Sequence, residues 1–354
     1  MRIDRQQAFT GMTTADIPAT SLREYLSNNI DGFEGPLEIS RFKGGQSNPT
    51  YRLGTPRRHY VLRRKPFGKL LPSAHAIERE YRITDALSLA GFPVARPLHL
   101  CTDDSVIGAA FYLMEHVDGR VFWEPWAPGI SPPERSAVFK SMNRTLARLH
   151  GFDFAAAGLS DFGKPQGYVA RQIRRWSEQY KASETERIAE MDRLIAWLPD
   201  AAPPDSGAAV VHGDFRLDNC IIHPAEPRVS AVLDWELATI GDPIADFTYH
   251  LMPWFMPVSE TGAGVGSLVG HAEDPGIPGL ESYIEDYCAQ TGRSALPSLN
   301  TYMAYNFFRI AAILQGILGR VRDGTAASAE AATMARQVRP LAETAWHFAR
   351  KAGG

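Results

Sequence analysis

His212-Gly213-Asp214-Phe215-Arg216-Leu217-Asp218-Asn219 follows the apolar pair Val210-Val211 and precedes the apolar run Cys220 to Ile222, so its polar groups occupy a loop held on both sides. A second apolar run, Val229 to Leu233, ends at Asp234 within Leu233-Asp234-Trp235-Glu236. Aspartates in loops ordinarily form turns and helix caps. Here an HxD start, an asparagine five residues after the aspartate, an intervening hairpin and a strand-ending aspartate occur in order. Phosphoryl transfer to a hydroxyl needs few parts: a carboxylate that orients the nucleophile and accepts its proton, and oxygen ligands for magnesium. Asp214 suits the first task. Asn219 and Asp234 suit the second, because magnesium takes one or two carboxylates plus phosphate oxygens and waters.

Those motifs, with the continuation LDWELATIGDPIADF from Leu233 to Phe247, resemble the catalytic and metal loops of the aminoglycoside phosphotransferase and choline kinase-like family, relatives of the protein kinases. The runs Gly44 to Leu53, GGQSNPTYRL, and Val61 to Tyr81, ending AHAIEREY, are most similar to the kinase-like domains associated with acyl-CoA dehydrogenases. The resemblance spans Leu37 to Trp346. It implies an α+β, two-lobed protein-kinase-like fold, with a small antiparallel-sheet N-lobe over residues 1–115 and a larger, mainly helical C-lobe over 116–354. It also implies ATP and Mg2+ as cofactors, Asp246 as a support of the catalytic loop and His212 as a brace of that loop. The partner it implies is a small-molecule hydroxyl acceptor, a hydroxyacyl or hydroxyacyl-CoA in preference to an antibiotic. ATP against GTP stays open.

The pattern along the chain agrees with such an outline. Strand-like runs lie at Leu37 to Phe42, Thr50 to Leu53, His59 to Arg64 and Ala109 to Val117, and Pro72-Ser73 opens a helix to about Ala90. Beyond Gly119 helices dominate. Ser131-Pro132-Pro133-Glu134 is a capping box with proline in the first turn, and Ser183 to Glu186 reads as another before Ile188 to Leu198.

On the nucleotide side, Lys43 to Asn48 fits a phosphate cover. Gly44 and Gly45 let backbone N–H groups approach phosphate oxygens, with Gln46, Ser47 and Asn48 at the tip. The family usually carries a lysine on the third strand, where this chain has Arg63; Lys65 is the alternative phosphate cation. Ile77, Thr84 and Leu87 define an apolar helical stripe that contains Glu80 and excludes Glu78. A carboxylate on a buried stripe calls for a cation, and Arg63 is the candidate. Met114 to Val117 would connect the lobes, with the Glu115 and Val117 backbones facing adenine. The acceptor would meet Tyr302 to Arg309 and the glycine-rich stretch Ser259 to Gly279, with Arg309 either facing an anionic acceptor or exposed on a core helix.

Bulk properties exclude other classes. A formal net charge of −3, well mixed along the chain, argues against nucleic acid. Cys101, Cys220 and Cys288 form no CxxC pair and read as reduced thiols of a cytoplasmic protein. Met1 to Thr20 lacks the apolar run of a secretory signal, and Ile310 to Leu318 is too short to span a bilayer, so no membrane partner is expected. Gly262, Gly264 and Gly266 follow no strand and miss the dinucleotide spacing, and no GxxxxGK[ST], HExxH or GxSxG occurs.

Overall fold

The computed structural model describes residues 17–42, 48–67, 76–258, 266–271, 273–323 and 336–354. Gly44, Gly45, Gln46 and Ser47, the start of the helix expected from Pro72, and most of the glycine triplet lie outside the described residues. The chain forms two compact units, Met1–Gly119 with Ser230–Glu236, and Arg120–Val229 with Leu237–Gly354.

The first unit is built on a five-stranded antiparallel sheet in the order β1-β2-β3-β5-β4. The strands are β1 (Glu38–Arg41), β2 (Thr50–Gly54), β3 (His59–Arg64), β4 (Pro97–Cys101) and β5 (Phe111–Glu115). One face carries Tyr51, Leu53, Tyr60, Leu62, Phe111 and Leu113, buried with Leu22 and Leu26 of α1 (Ala19–Asn29). Helix α2 (Ile77–Leu89) buries Ile77, Glu80, Ile83, Thr84 and Leu87, which is the stripe its spacing predicts. The segment 230–236 joins this unit through backbone. Val232 lies parallel to Val94, its N–H donates to the Pro93 carbonyl at 2.9 Å, and the buried Trp235 meets Phe92 edge-on.

The second unit is mainly helical: α3 (Pro132–His150), α4 (Tyr168–Ser183), α5 (Ala189–Ala201), α6 (Pro243–His250), α7 (Leu280–Thr291), α8 (Leu299–Arg322) and α9 (Val338–Lys351). Helix α8 packs against α4 and α9. A short antiparallel pair, β6 (Ala209–Val211) with β9 (Thr239–Gly241), delivers the chain to His212 on one side and to α6 on the other. The runs expected as a hairpin are strands, β7 (Cys220–Ile222) and β8 (Val229–Val232). Ser131 caps α3 through its Oγ, as its sequence predicts.

Ser183 does not start a helix. It ends α4, its Oγ donates to the Gln179 carbonyl at 2.8 Å, and α5 begins after Ile188 with no side-chain cap. Among the described residues no helix is long and apolar enough to cross a membrane. The three cysteines are free and buried.

Candidate active site

In the first unit the geometry centres on Arg63. Alternation along β3 turns this side chain toward α2, where its Nε lies 2.7 Å from Glu80 Oε2. Its Nη2 donates to Asp234 Oδ1 at 2.9 Å and lies 3.5 Å from Glu236, and its Nη1 is 3.4 Å from Thr50 Oγ1. Glu80 is almost wholly buried, with a side chain 3% exposed, and also accepts from Asn48 Nδ2 at 2.7 Å and from the Tyr112 hydroxyl at 3.3 Å.

Burial raises the Glu80 carboxyl above its ordinary value, and Arg63 opposes that while nearby Asp234 adds to it. Burial also works against the Arg63 charge, but Glu80, Tyr112, Asp234 and Glu236 outweigh it and hold its pKa above the usual guanidinium value. Lys65, the other phosphate-cation candidate, pairs with Glu78 on the exposed side of α2. Glu115 ends β5, its N–H donates to the Arg96 carbonyl at 2.9 Å, and its side chain pairs with Arg96; Val117 follows two residues after the strand.

Asp234 has φ +65, a left-handed conformation that a non-glycine residue adopts at a cost of roughly 1–3 kcal/mol and that is concentrated at functional sites. Trp235 holds that turn, since its indole N–H donates to the Val232 carbonyl at 3.0 Å. Sequence spacing brought out Asp234, and the structure adds Glu236 to the same guanidinium.

In the second unit the loop after β6 is pinned from below. Asp246, on the first turns of α6, accepts from the His212 N–H and the Gly213 N–H, both at 2.8 Å. His150 Nε2 lies 3.2 Å from the same carboxylate, and His150 Nδ1 is 2.6 Å from the Tyr287 hydroxyl. Burial alone would raise the Asp246 carboxyl, but the His150 hydrogen bond and charge, with the neighbouring His212, hold it below the carboxylate range. His212 is wholly buried, and its Nδ1 accepts from the Asp214 N–H at 3.2 Å. Asp246 and His212 thus each hydrogen-bond backbone N–H groups of this loop. Gly213 has φ +84, and a Cβ there would lie 3.0 Å from Leu237 Cβ, so the turn requires glycine.

Asp214 is held by three side chains. Its Oδ1 accepts from the Tyr249 hydroxyl at 2.5 Å and lies 3.1 Å from Arg216 Nε. Its Oδ2 accepts from Asn219 Nδ2 at 3.1 Å, and the same amide donates to the Asp214 carbonyl at 2.9 Å. Both Asn219 bonds use the nitrogen, which leaves the hard oxygen of that amide as the atom a magnesium ion would take. Among the described residues no group of three or more His, Cys, Asp or Glu side chains could hold a metal ion.

Arg216 pairs with Asp214 and, at 3.0 Å, with Asp218. Spacing alone gave no sign of Arg216 or Tyr249. Of the helical residues expected near the acceptor, Asn306 is buried and its Nδ2 donates to the Ala245 carbonyl and to Thr248 Oγ1, each at 3.0 Å, while its Oδ1 finds no hydrogen-bond partner among the described residues. Arg309 is not exposed on its helix; it is buried, 7% accessible, and donates to the Gly213 carbonyl at 2.9 Å.

Comparison with known proteins places this geometry. The family model of the phosphotransferase enzyme family (APH) matches residues 38–292. The chain is 46% identical over 345 residues to mouse acyl-CoA dehydrogenase family member 10, a match that covers 96% of this chain and 32% of that protein. The chain therefore spans about a third of that curated relative. A crystal structure from Ralstonia eutropha, provisionally assigned as an aminoglycoside phosphotransferase, is 48% identical with a TM-score of 0.85, covering 95% of this chain and 99% of that one. Spectinomycin phosphotransferase, solved with ADP and spectinomycin, shares the fold at 14% identity and a TM-score of 0.63, covering 94% and 99% of the two chains.

Proposed function

Because the chain belongs to the phosphotransferase enzyme family, a family of small-molecule kinases, we propose that it moves the γ-phosphate of ATP to a hydroxyl group of a small molecule. The observation that carries this reading is the Asp214 carboxylate. It is fixed by Tyr249, Arg216 and Asn219 on a loop whose backbone Asp246 pins.

In this reading Asp214 orients the acceptor hydroxyl and takes its proton. Asn219 and Asp234 hold Mg2+, which when bound neutralises charge on the phosphates. Arg63, backed by Glu80, positions the phosphates under a cover formed by Gly44, Gly45, Gln46, Ser47 and Asn48, and the backbones of Glu115 and Val117 face adenine. The acceptor is a hydroxyacyl compound or its CoA thioester. Similarity to mouse acyl-CoA dehydrogenase family member 10 supports that choice.

A second reading, a nucleotide-binding module without transfer activity, is favoured by one observation: Arg63 replaces the usual lysine and is engaged by Glu80, Asp234 and Glu236. Transfer of labelled γ-phosphate across hydroxyacyl-CoAs, choline analogues, sugars and aminoglycosides separates the two. A phosphorylated product is expected with a hydroxyacyl acceptor, and Asp214→Ala should lower its formation by at least ~2 powers of ten. Near-wild-type transfer by that variant would refute the role of Asp214. ATP hydrolysis with no acceptor in the panel would favour the second reading.

A further inference from the structure

Arg309 sits in the middle of α8 with its guanidinium buried, yet it forms no ion pair with a carboxylate among the described residues. A buried cation without an adjacent anion is costly, so the contacts that retain it are informative. There are two. Nη2 donates to the Gly213 carbonyl at 2.9 Å, and the guanidinium carbon stands 5.2 Å from the centre of the Tyr249 ring, within cation–π range. Tyr249 in turn donates its hydroxyl to Asp214 Oδ1 at 2.5 Å.

Arg309 therefore reaches both ends of the Gly213–Asp214 unit, its carbonyl directly and its carboxylate through the tyrosine. The Gly213 N–H is already taken by Asp246, so this residue, at φ +84, is held through both its N–H and its C=O. The groups keep the forms this requires. Burial works against the Arg309 charge, but Tyr305, Tyr168, Tyr249 and Asp214 outweigh it and hold the cation. Burial, reinforced by the Asp214 charge, pushes the Tyr249 hydroxyl well above its usual pKa, so it remains a donor.

We propose that Tyr249 and Arg309 act as one positioning pair, reaching from α6 and α8 to fix the Gly213–Asp214 peptide and the direction of the Asp214 carboxylate. The pair acts on turnover through Asp214, a consequence that rests on the kinase reading given above. The clamp itself does not rest on it.

Two readouts on the full chain separate these. The first is amide hydrogen exchange over residues 212–219. Arg309→Met should speed exchange at Gly213 and its neighbours at least ~10-fold, as expected for loss of a local restraint, while amides of β2 and β3 stay unchanged. Arg309→Lys, which keeps a donor for the Gly213 carbonyl, should fall between wild type and Arg309→Met.

The second readout is kinetic. Tyr249→Phe should lower kcat by roughly 10-fold to 100-fold with KM for acceptor and ATP within about twofold, the pattern of a misaimed group. The Tyr249→Phe/Arg309→Met double variant should lose little more than the worse single one. Unchanged exchange over 212–219 in Arg309→Met, or fully additive losses in the double variant, would overturn the pair. Full turnover in Asp214→Asn would instead overturn the kinase role of Asp214, and the exchange result would still decide the clamp.

Discussion

Replacing Glu80 by glutamine keeps the shape of the side chain and removes one charge from the most buried ion pair of the first unit. The carboxylate accepts from Asn48 Nδ2 at 2.7 Å and from the Tyr112 hydroxyl at 3.3 Å, and it pairs with the Arg63 charge at 2.7 Å from Nε. A glutamine has one oxygen to offer them and brings an NH2 of its own, so at least one donor must face another donor. Breaking a buried pair by removing one partner costs about 3–5 kcal/mol. Two features reduce the figure here. Arg63 keeps Asp234 at 2.9 Å and Glu236 at 3.5 Å, and the Asn48 amide can rotate to present its oxygen.

A loss of about 2 kcal/mol remains, which for a unit of this size lowers Tm by roughly 6–10 °C. Calorimetry at pH 7.5 on the full chain measures it. Glu78→Gln is the internal contrast, because the Lys65–Glu78 pair is 28% and 40% exposed and such pairs contribute at most ~1 kcal/mol. A Glu80→Gln protein melting within about 1 °C of wild type would refute the reasoning. It would mean that burial keeps Glu80 protonated in the native protein, so that Asp234 and Glu236 alone balance Arg63.

Gly213→Ala should destabilise by about 2–3 kcal/mol and depress transfer, because φ +84 disfavours any side chain and the new Cβ would stand 3.2 Å from the Leu237 carbonyl oxygen; an alanine variant of wild-type stability in urea would refute the strain. His250 is buried with its Nδ1 3.2 Å from the Phe215 carbonyl, and burial lowers its pKa to about 4. The unfolded chain then binds the proton more readily. The contribution is complete above pH ~6.5, is lost as pH falls from there toward about 4, and totals about 3 kcal/mol. Urea unfolding at pH 7.5, 6 and 5 should show that slope in wild type and less of it in His250→Gln, and equal slopes would refute the assignment.

The elements that sequence reading found are those with local signals. The loop at 212–219 stood out because apolar runs bracket it, and Glu80 because its helical neighbours Ile77, Thr84 and Leu87 are apolar at the right spacing. The elements it missed lack such signals. Strand β4 begins at Pro97 and carries His99 beside a register shift, and only its pairing with β5 makes it a strand. Ser183 has the residues of a capping box, yet α4 was already running into it, and a serine near a helix end can equally donate back to the preceding turn. Tyr249 and Arg309 bond the 212–219 loop from 35 and 96 residues away. No window of sequence contains both partners, so chemistry of this kind becomes visible only when the chain is folded.

Arginine in place of lysine on β3 follows from the same accounting. A lysine there would present one compact ammonium, adequate for a single carboxylate. The side chain at this position meets Glu80 with Nε, Asp234 and Glu236 with Nη2, and Thr50 with Nη1. Only a planar fork with donors on three nitrogens can address the helix and the 230–236 segment together. The substitution thus ties the strained Asp234 turn to the acid of α2 through one cation, and it makes the placement of Asp234 depend on Glu80 as well as on Trp235. The departure from the family pattern is therefore matched by its surroundings, since Glu80, Asp234, Glu236 and Thr50 all meet nitrogens of the one guanidinium.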